Sequence, residues 1–149
     1  MEKSTFVYVT YIRTTPEKLW QALTEPEFTR QFYFGMTIET DWKKGSTWKT
    51  VGTDGETKDS GEIVEIDPPR RLVLTWRNEF RPEMKEEGDS RMSYELEAEG
   101  EMVKLVVRHE MDKPASKLIG AVSNGWPMIL SSLKSLLETG ESLVETRTS

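Results

Sequence analysis

The sequence predicts an α+β fold in which a strongly curved antiparallel sheet wraps around one long C-terminal helix, with two short helices after the first strand. Two observations carry the prediction. From about Met36 onward apolar residues recur with period two between regularly spaced turn signals. From Trp126 they recur instead at Ile129, Leu130, Leu133, Leu136 and Leu137, the three-and-four spacing of one helical face. A sheet with one face to bury and a helix with a matching stripe are satisfied by closing on each other.

The elements follow in order. Residues 4–13 are β-branched and aromatic with apolar groups on both alternating sets, the pattern of a strand covered on both faces. Thr15-Pro16-Glu17 starts a helix with a hydroxyl cap, a proline at the first helical position and an acid in the first turn. Leu19, Trp20 and Leu23 are its buried face, and Pro26 begins a second short helix with Phe28 and Phe32 four apart. Turn signals then fall at Lys44-Gly45, Asp54-Gly55, Asp67-Pro68-Pro69, the charged loop Arg81 to Asp89, and Glu99-Gly100, which reads as an antiparallel meander of about six strands. Asp54-Gly55 is the strongest hairpin signal, because both residues tolerate positive φ. The loop 81–89 is expected to be polar and mobile.

In the last hairpin Met92, Tyr94, Leu96 and Ala98 face Val103, Leu105, Val107 and His109. Matching those sets requires an even-length loop, two residues at Glu99-Gly100 or four with Glu101 and Met102. The long helix is expected near residues 115–139, with Gly140 stopping it. Pro127 removes a backbone donor beside Trp126 at the head of the apolar stripe, where a kink or opening can form. Residues 1–149 are read as one domain, with 141–149 as a frayed tail.

A chain of 149 residues buries roughly 70% of its unfolded surface as one domain. It has no cysteine, which excludes disulfides, thiol catalysis and thiolate zinc sites. Its formal charge of -6 disfavours nucleic acid and anionic membrane surfaces as partners. Met1 to Thr5 show neither the basic segment nor the apolar stretch of a secretory signal, and no apolar run approaches a membrane span. A cytoplasmic protein without membrane insertion is the expectation.

The chemistry is sparse. With one histidine, a metal site built on two imidazoles is impossible within the chain, and no nucleophile elbow or phosphate loop is present. Carboxylates read as loop and outward-facing groups. No catalytic residue, metal site or cofactor is assigned. His109 shares an apolar face with Val107 and Leu105, so it is either a hydrogen-bonded core residue or a polar group in a cavity. The five tryptophans allow two readings: Trp42, Trp48, Trp76 and Trp126 either fill the core or line a pocket on which a ligand stacks, whereas Trp20 reads as structural.

An ordered set of marks runs along nearly the whole chain: Pro16-Glu17 with Trp20, Leu23-Thr24 and Pro26; Gly61-Glu62-Ile63 leading to Asp67-Pro68-Pro69 and Arg71-Leu72; His109 after an apolar strand; and Gly125-Trp126 leading to Leu133-Lys134 and Leu137-Glu138. In these the chain resembles the START-like, or SRPBCC, superfamily, and within it the proteins similar to the C-terminal domain of the activator of heat shock protein 90 ATPase. The resemblance implies a helix-grip fold with a hydrophobic cavity that takes a small apolar or aromatic ligand such as a lipid, polyketide or flavonoid. The expected cavity lining is Phe34, Trp42, Trp48, Trp76, Tyr94, Val107, His109, Trp126, Ile129, Leu130 and Leu133. The resemblance also admits two alternatives. One is a protein-interaction domain with a chaperone or other protein as partner. The other is a cyclase- or aromatase-like enzyme; the resemblance transfers no catalytic set, and on this chain's own residues His109 or Tyr94 would be the acid or base.

Overall fold

The structure, a computed structural model, describes residues 3–143 and 146. Strand β1 (Ser4–Ile12) leads into helices α1 (Pro16–Thr24) and α2 (Pro26–Phe32). Strands β2 (Thr37–Thr40), β3 (Thr47–Val51), β4 (Thr57–Asp67) and β5 (Arg71–Asn78) follow, then the single turn α3 (Pro82–Lys85), β6 (Ser90–Glu99), β7 (Met102–Met111) and α4 (Lys117–Thr139). Among the described residues the strands form one antiparallel sheet in the order β1-β7-β6-β5-β4-β3-β2. Leu118, Trp126, Leu130 and Leu133 of α4 pack into its inner face with Leu19 and Leu23 of α1 and Phe32 of α2, all buried. This is the helix-grip arrangement expected from the two periodicities.

Local chemistry sets the ends of the elements. Thr15 caps α1, its Oγ1 accepting from the Lys18 N–H at 3.2 Å, and Pro16 opens the helix. Gly140, at φ 87°, terminates α4 in the left-handed conformation that a β-carbon disfavours. In the β6–β7 hairpin Ala98 pairs with Val103 and Glu99 with Met102, so Gly100 and Glu101 make the turn. That is the register of the four-residue alternative, tightened by one more pair.

Several expectations are corrected. Strand β1 is not covered on both faces: Phe6, Tyr8 and Thr10 are half-buried and Ile12 is buried, while Val7, Val9 and Tyr11 are exposed. The reason is that β1 is an edge strand with α4 over its inner face and, among the described residues, no element packed on its outer face. Trp126-Pro127 stands in the middle of α4 rather than at its head, because Leu118, Ile119 and Val122 carry the apolar stripe to the helix start.

The 81–89 loop is tied down. Met84 is buried, and the Glu87 carboxylate accepts from Ser116 Oγ (2.7 Å), Lys117 N (2.8 Å) and Leu118 N (3.1 Å) at the first turn of α4. An acid there satisfies orphan N–H groups and faces the positive end of the helix dipole. Burial opposes its ionisation, yet those hydrogen bonds hold Glu87 below the usual carboxylate range. The tail is anchored where it is described, since Leu143 N donates to Ser132 Oγ at 3.0 Å and Thr146 also bonds Ser132. Residues 144, 145 and 147–149 of the predicted frayed tail, and Met1 and Glu2 of the leader reading, lie outside the described residues.

Candidate functional site

A cavity of about 430 Å3 opens between the N-terminal half of α4, the α2–β2 connection and the β5–α3 connection. That is within the range of roughly 300–1,000 Å3 typical of small-molecule sites. Its apolar wall is Phe34, Met36, Phe80, Met84, Val122 and Ile129, joined by the buried Tyr33, Trp76 and Trp126. Phe34 and Gly35 both take positive φ (52° and 76°), a chain reversal closed by Met36 N donating to Tyr33 O at 2.9 Å. A left-handed conformation costs a bulky residue about 1–2 kcal/mol, and here it belongs to a residue of the cavity wall.

The inner end is polar. Asp59 of β4, only 7% exposed, accepts from Thr50 Oγ1 (3.0 Å) and Trp76 Nε1 (3.1 Å). Burial is the main cause that lifts its pKa to about 6, with the Glu79 charge adding to it and the two hydrogen bonds opposing. Tyr33 is 5% exposed and also lines the cavity. Burial first, then the charge of Asp59 and the nearness of Tyr94, push its hydroxyl well above the usual phenol range. Among the described residues no group hydrogen-bonds to that hydroxyl. Asn78 and Arg81 complete the rim, where Asn78 Oδ1 accepts from Phe80 N and Arg81 N.

His109 lies behind this wall, fully buried. The Ser90 hydroxyl donates to Trp76 O at 3.0 Å, which commits its single proton, so the 2.8 Å contact with His109 requires Nε2–H to donate to Ser90 Oγ. Nδ1 then accepts from Trp126 Nε1 at 3.3 Å. The imidazole is therefore a neutral core residue in a fixed tautomer. Burial lowers its pKa to about 3, and a second proton would meet the Trp126 N–H donor head-on.

Of the expected lining, Phe34, Trp76, Trp126 and Ile129 border the cavity. Trp42, Trp48 and Tyr94 surround instead a closed void of about 10 Å3, which Tyr33 and Trp76 separate from the cavity. Val107, His109, Leu130 and Leu133 are buried and line neither space. The sequence reading missed Tyr33, Met36, Asp59, Asn78, Phe80, Arg81 and Met84. Asp59 had a signal, for it is in phase with Ile63 in the period-two pattern of β4 and so points inward.

The void is closed by a specific contact. Trp48 Nε1 donates to Thr75 O at 2.9 Å, crossing Gly61, where an added Cβ would stand 1.9 Å from that oxygen and 2.7 Å from Nε1. Trp48 then packs against Trp76, with ring centroids 4.9 Å apart and planes tilted by 59°.

A larger open recess, about 620 Å3, lies on the outer face of the sheet. Its charges answer one another, as in Arg71 between Glu65 and Glu95, so it is a solvated face rather than a site. Among the described residues no cluster of His, Asp and Glu is placed to hold a metal ion, and no helix is long and apolar enough to cross a membrane.

A sheet gripping a long helix above an aromatic cavity defines a START-like, or SRPBCC, protein. Residues 13–138 match the family described as Activator of Hsp90 ATPase homolog 1-like protein, and the chain belongs to that family. Among solved structures it is similar to CalU16 from Micromonospora echinospora, with 23% identity, a TM-score of 0.72, and 91% of this chain and 77% of that one covered. It is likewise similar to the Aha1 dimer from Colwellia psychrerythraea, with 20% identity, a TM-score of 0.74, and 93% and 98% covered. DynU16, a putative protein in the dynemicin biosynthetic locus, matches at 18% identity and a TM-score of 0.76, with 93% of this chain and 49% of that one covered. At these identities the likeness is one of fold. No curated protein matches the chain.

Proposed function

We propose that the chain is a binding module for a small, mainly apolar aromatic molecule held in the cavity beside α4. The observation that carries this reading is the cavity itself: about 430 Å3, walled by aromatic and aliphatic side chains, and ending in a few polar groups. Burying roughly 200–300 Å2 of ligand apolar surface supplies about 5–7 kcal/mol before association costs, enough for micromolar binding to a preformed site. The similarity in fold to DynU16, a protein of the dynemicin biosynthetic locus, supports a small-molecule ligand. Native mass spectrometry of the protein purified from its own host tests the reading. A retained small molecule that is lost when the cavity is plugged by Val122→Trp supports it, and apo protein that also fails to take up any aromatic probe refutes it.

A second reading, contact with a chaperone or other protein, has one observation in its favour. Val7, Val9, Tyr11 and Met102 are exposed on the outer face of β1 and β7. Lys104 and Arg108 of β7 pair with Tyr11 and Val7 on that face, which breaks the apolar surface into small pieces.

A further inference from the structure

We propose that the inner end of the cavity recognises a ring hydroxyl, with Tyr33 as the donor to it and Asp59 as the acceptor from it, so that the ligand is a neutral phenol or enol rather than a bare arene or an aromatic carboxylate. This inference rests on the binding reading above and specifies the ligand's polar end.

The argument is a count of donors and acceptors at two buried side chains. Asp59 receives one hydrogen bond on each oxygen, from Trp76 Nε1 and Thr50 Oγ1, and Thr50 in turn accepts from Asp59 N at 3.0 Å. Both partners lock the carboxylate in place, but a carboxylate has about four lone-pair positions, so it keeps acceptor capacity. Its pKa of about 6 leaves it ionised at pH 7.5. Tyr33 faces the same cavity with a hydroxyl that has no hydrogen-bond partner among the described residues. That hydroxyl is open to the cavity rather than sealed in the core, since among the described residues only Arg77 Nε is a fully buried side-chain polar atom without a hydrogen-bond partner, so it is free to donate to a ligand atom on arrival.

The pair therefore presents one donor and one acceptor, coupled strongly enough that the Asp59 charge perturbs Tyr33. A hydroxyl is the smallest group that answers both at once. A ketone satisfies Tyr33 alone, and a carboxylate is repelled by Asp59. Trp76 and Trp126, whose centroids stand 5.9 Å apart with planes at 66°, both border the space in which the ring lies. Arg81 is at the rim beside Phe80, where it disfavours cationic ligands.

The test is calorimetric titration of the intact chain at pH 7.5 with 2-naphthol, naphthalene and 2-naphthoate, in wild type and in Tyr33→Phe. That variant deletes only the unpartnered oxygen, so its thermal midpoint should equal or exceed that of wild type. We expect 2-naphthol to bind at least tenfold tighter than the other two, and Tyr33→Phe to remove most of that preference while leaving naphthalene unchanged. Equal affinities for naphthol and naphthalene, tighter binding of naphthoate, or a Tyr33→Phe effect shared by all three would overturn the hydroxyl assignment and leave the binding reading standing. No binding of any of the three by folded protein would overturn both. Asp59→Asn serves as a second probe, and an unchanged naphthol preference in a folded Asp59→Asn protein would also count against the assignment.

Discussion

Two spaces meet at Tyr33 and Trp76, and they differ by more than an order of magnitude: the cavity beside α4 is about 430 Å3, whereas the void among Trp42, Trp48 and Tyr94 is about 10 Å3. Both are lined by large aromatic residues, so aromatic content does not decide which one opens. The difference lies in what stands opposite. Around the void Leu23, Leu72, Leu74 and Met92 fill the gaps between rings. Over the cavity α4 contributes Ala121, Val122 and Gly125 among the larger Leu118, Trp126 and Ile129, and the facing walls come from the Phe34–Gly35 reversal and the Phe80–Arg81 segment capped by Asn78. Large residues close an interior when small ones do not face them.

The largest test of that comparison is Trp126→Ala. Trp126 is 2% exposed and makes edge contacts with Tyr33 (6.1 Å), Tyr94 (6.0 Å) and Trp76 (5.9 Å), so it buttresses both spaces. Truncation removes those contacts and the donor to His109, and should cost about 3–5 kcal/mol in urea unfolding. A loss under about 2 kcal/mol would mean that the cavity side, not the packed side, governs this residue.

That packed side was the legible one. The apolar face of β7 and the stripe of α4 are written in period two and period three-and-four, so the sheet, its register and its helix follow from Val103, Leu105 and Val107 against Ile129, Leu130 and Leu133. The cavity is set by features without a period. A left-handed Phe34, a Glu87 that reaches thirty residues along the chain to pin the α3 loop, and a missing side chain at Gly125 are long-range or negative facts. The same holds for Asp59, whose charged type argued for solvent while its phase in β4 argued for the interior.

The second test uses pH, because Asp59 at the cavity and His109 in the core are buried titratable groups of opposite kind. Asp59 has its pKa raised from 3.8 to about 6, so between those values the folded state holds a proton that the unfolded chain has lost. Its contribution is full below about pH 4 and is lost as pH rises through 6. His109 is lowered from 6.5 to about 3, so the unfolded chain holds the extra proton, and stability is lost as pH falls from 6.5. Each effect is about 1.4 kcal/mol per pH unit, and they oppose one another between pH 4 and 6. We expect a nearly flat wild-type contribution from this pair in that window. His109→Gln should make stability fall by up to about 3 kcal/mol from pH 4 to 6, and Asp59→Asn should make it rise by a similar amount. Parallel profiles for both variants and wild type would show that the two groups are not buried as described.

Gly61→Ala probes the closed space at its lock. A methyl group there would stand 1.9 Å from Thr75 O and 2.7 Å from both the Thr75 carbonyl carbon and Trp48 Nε1, so the β4–β5 backbone itself must shift and the Trp48 hydrogen bond with it. We expect a loss of about 2 kcal/mol by chemical denaturation, in the range for overpacked cores, and a change in tryptophan fluorescence as Trp48 moves off Trp76. Unchanged stability would show that β4 and β5 part at Gly61 without cost and that the void is closed only by filling.

The smallest effect is the most direct measure of why the other space stays open. Gly120 and Gly125 both lie within α4, where glycine is less favourable than alanine by about 1 kcal/mol, and an added Cβ at either has no atom within 4 Å. Replacing either by alanine should therefore stabilise the protein by about 0.5–1 kcal/mol. Only Gly125 lines the cavity, so a methyl there stands in the space itself, whereas one at Gly120 stands in solvent. Gly125→Ala should thus gain stability and weaken binding of an aromatic probe severalfold, while Gly120→Ala gains as much and binds as wild type does. Equal binding in the two variants would place the probe elsewhere. The predicted split would show that the helix keeps a residue unfavourable to its own stability at the point where the cavity needs room.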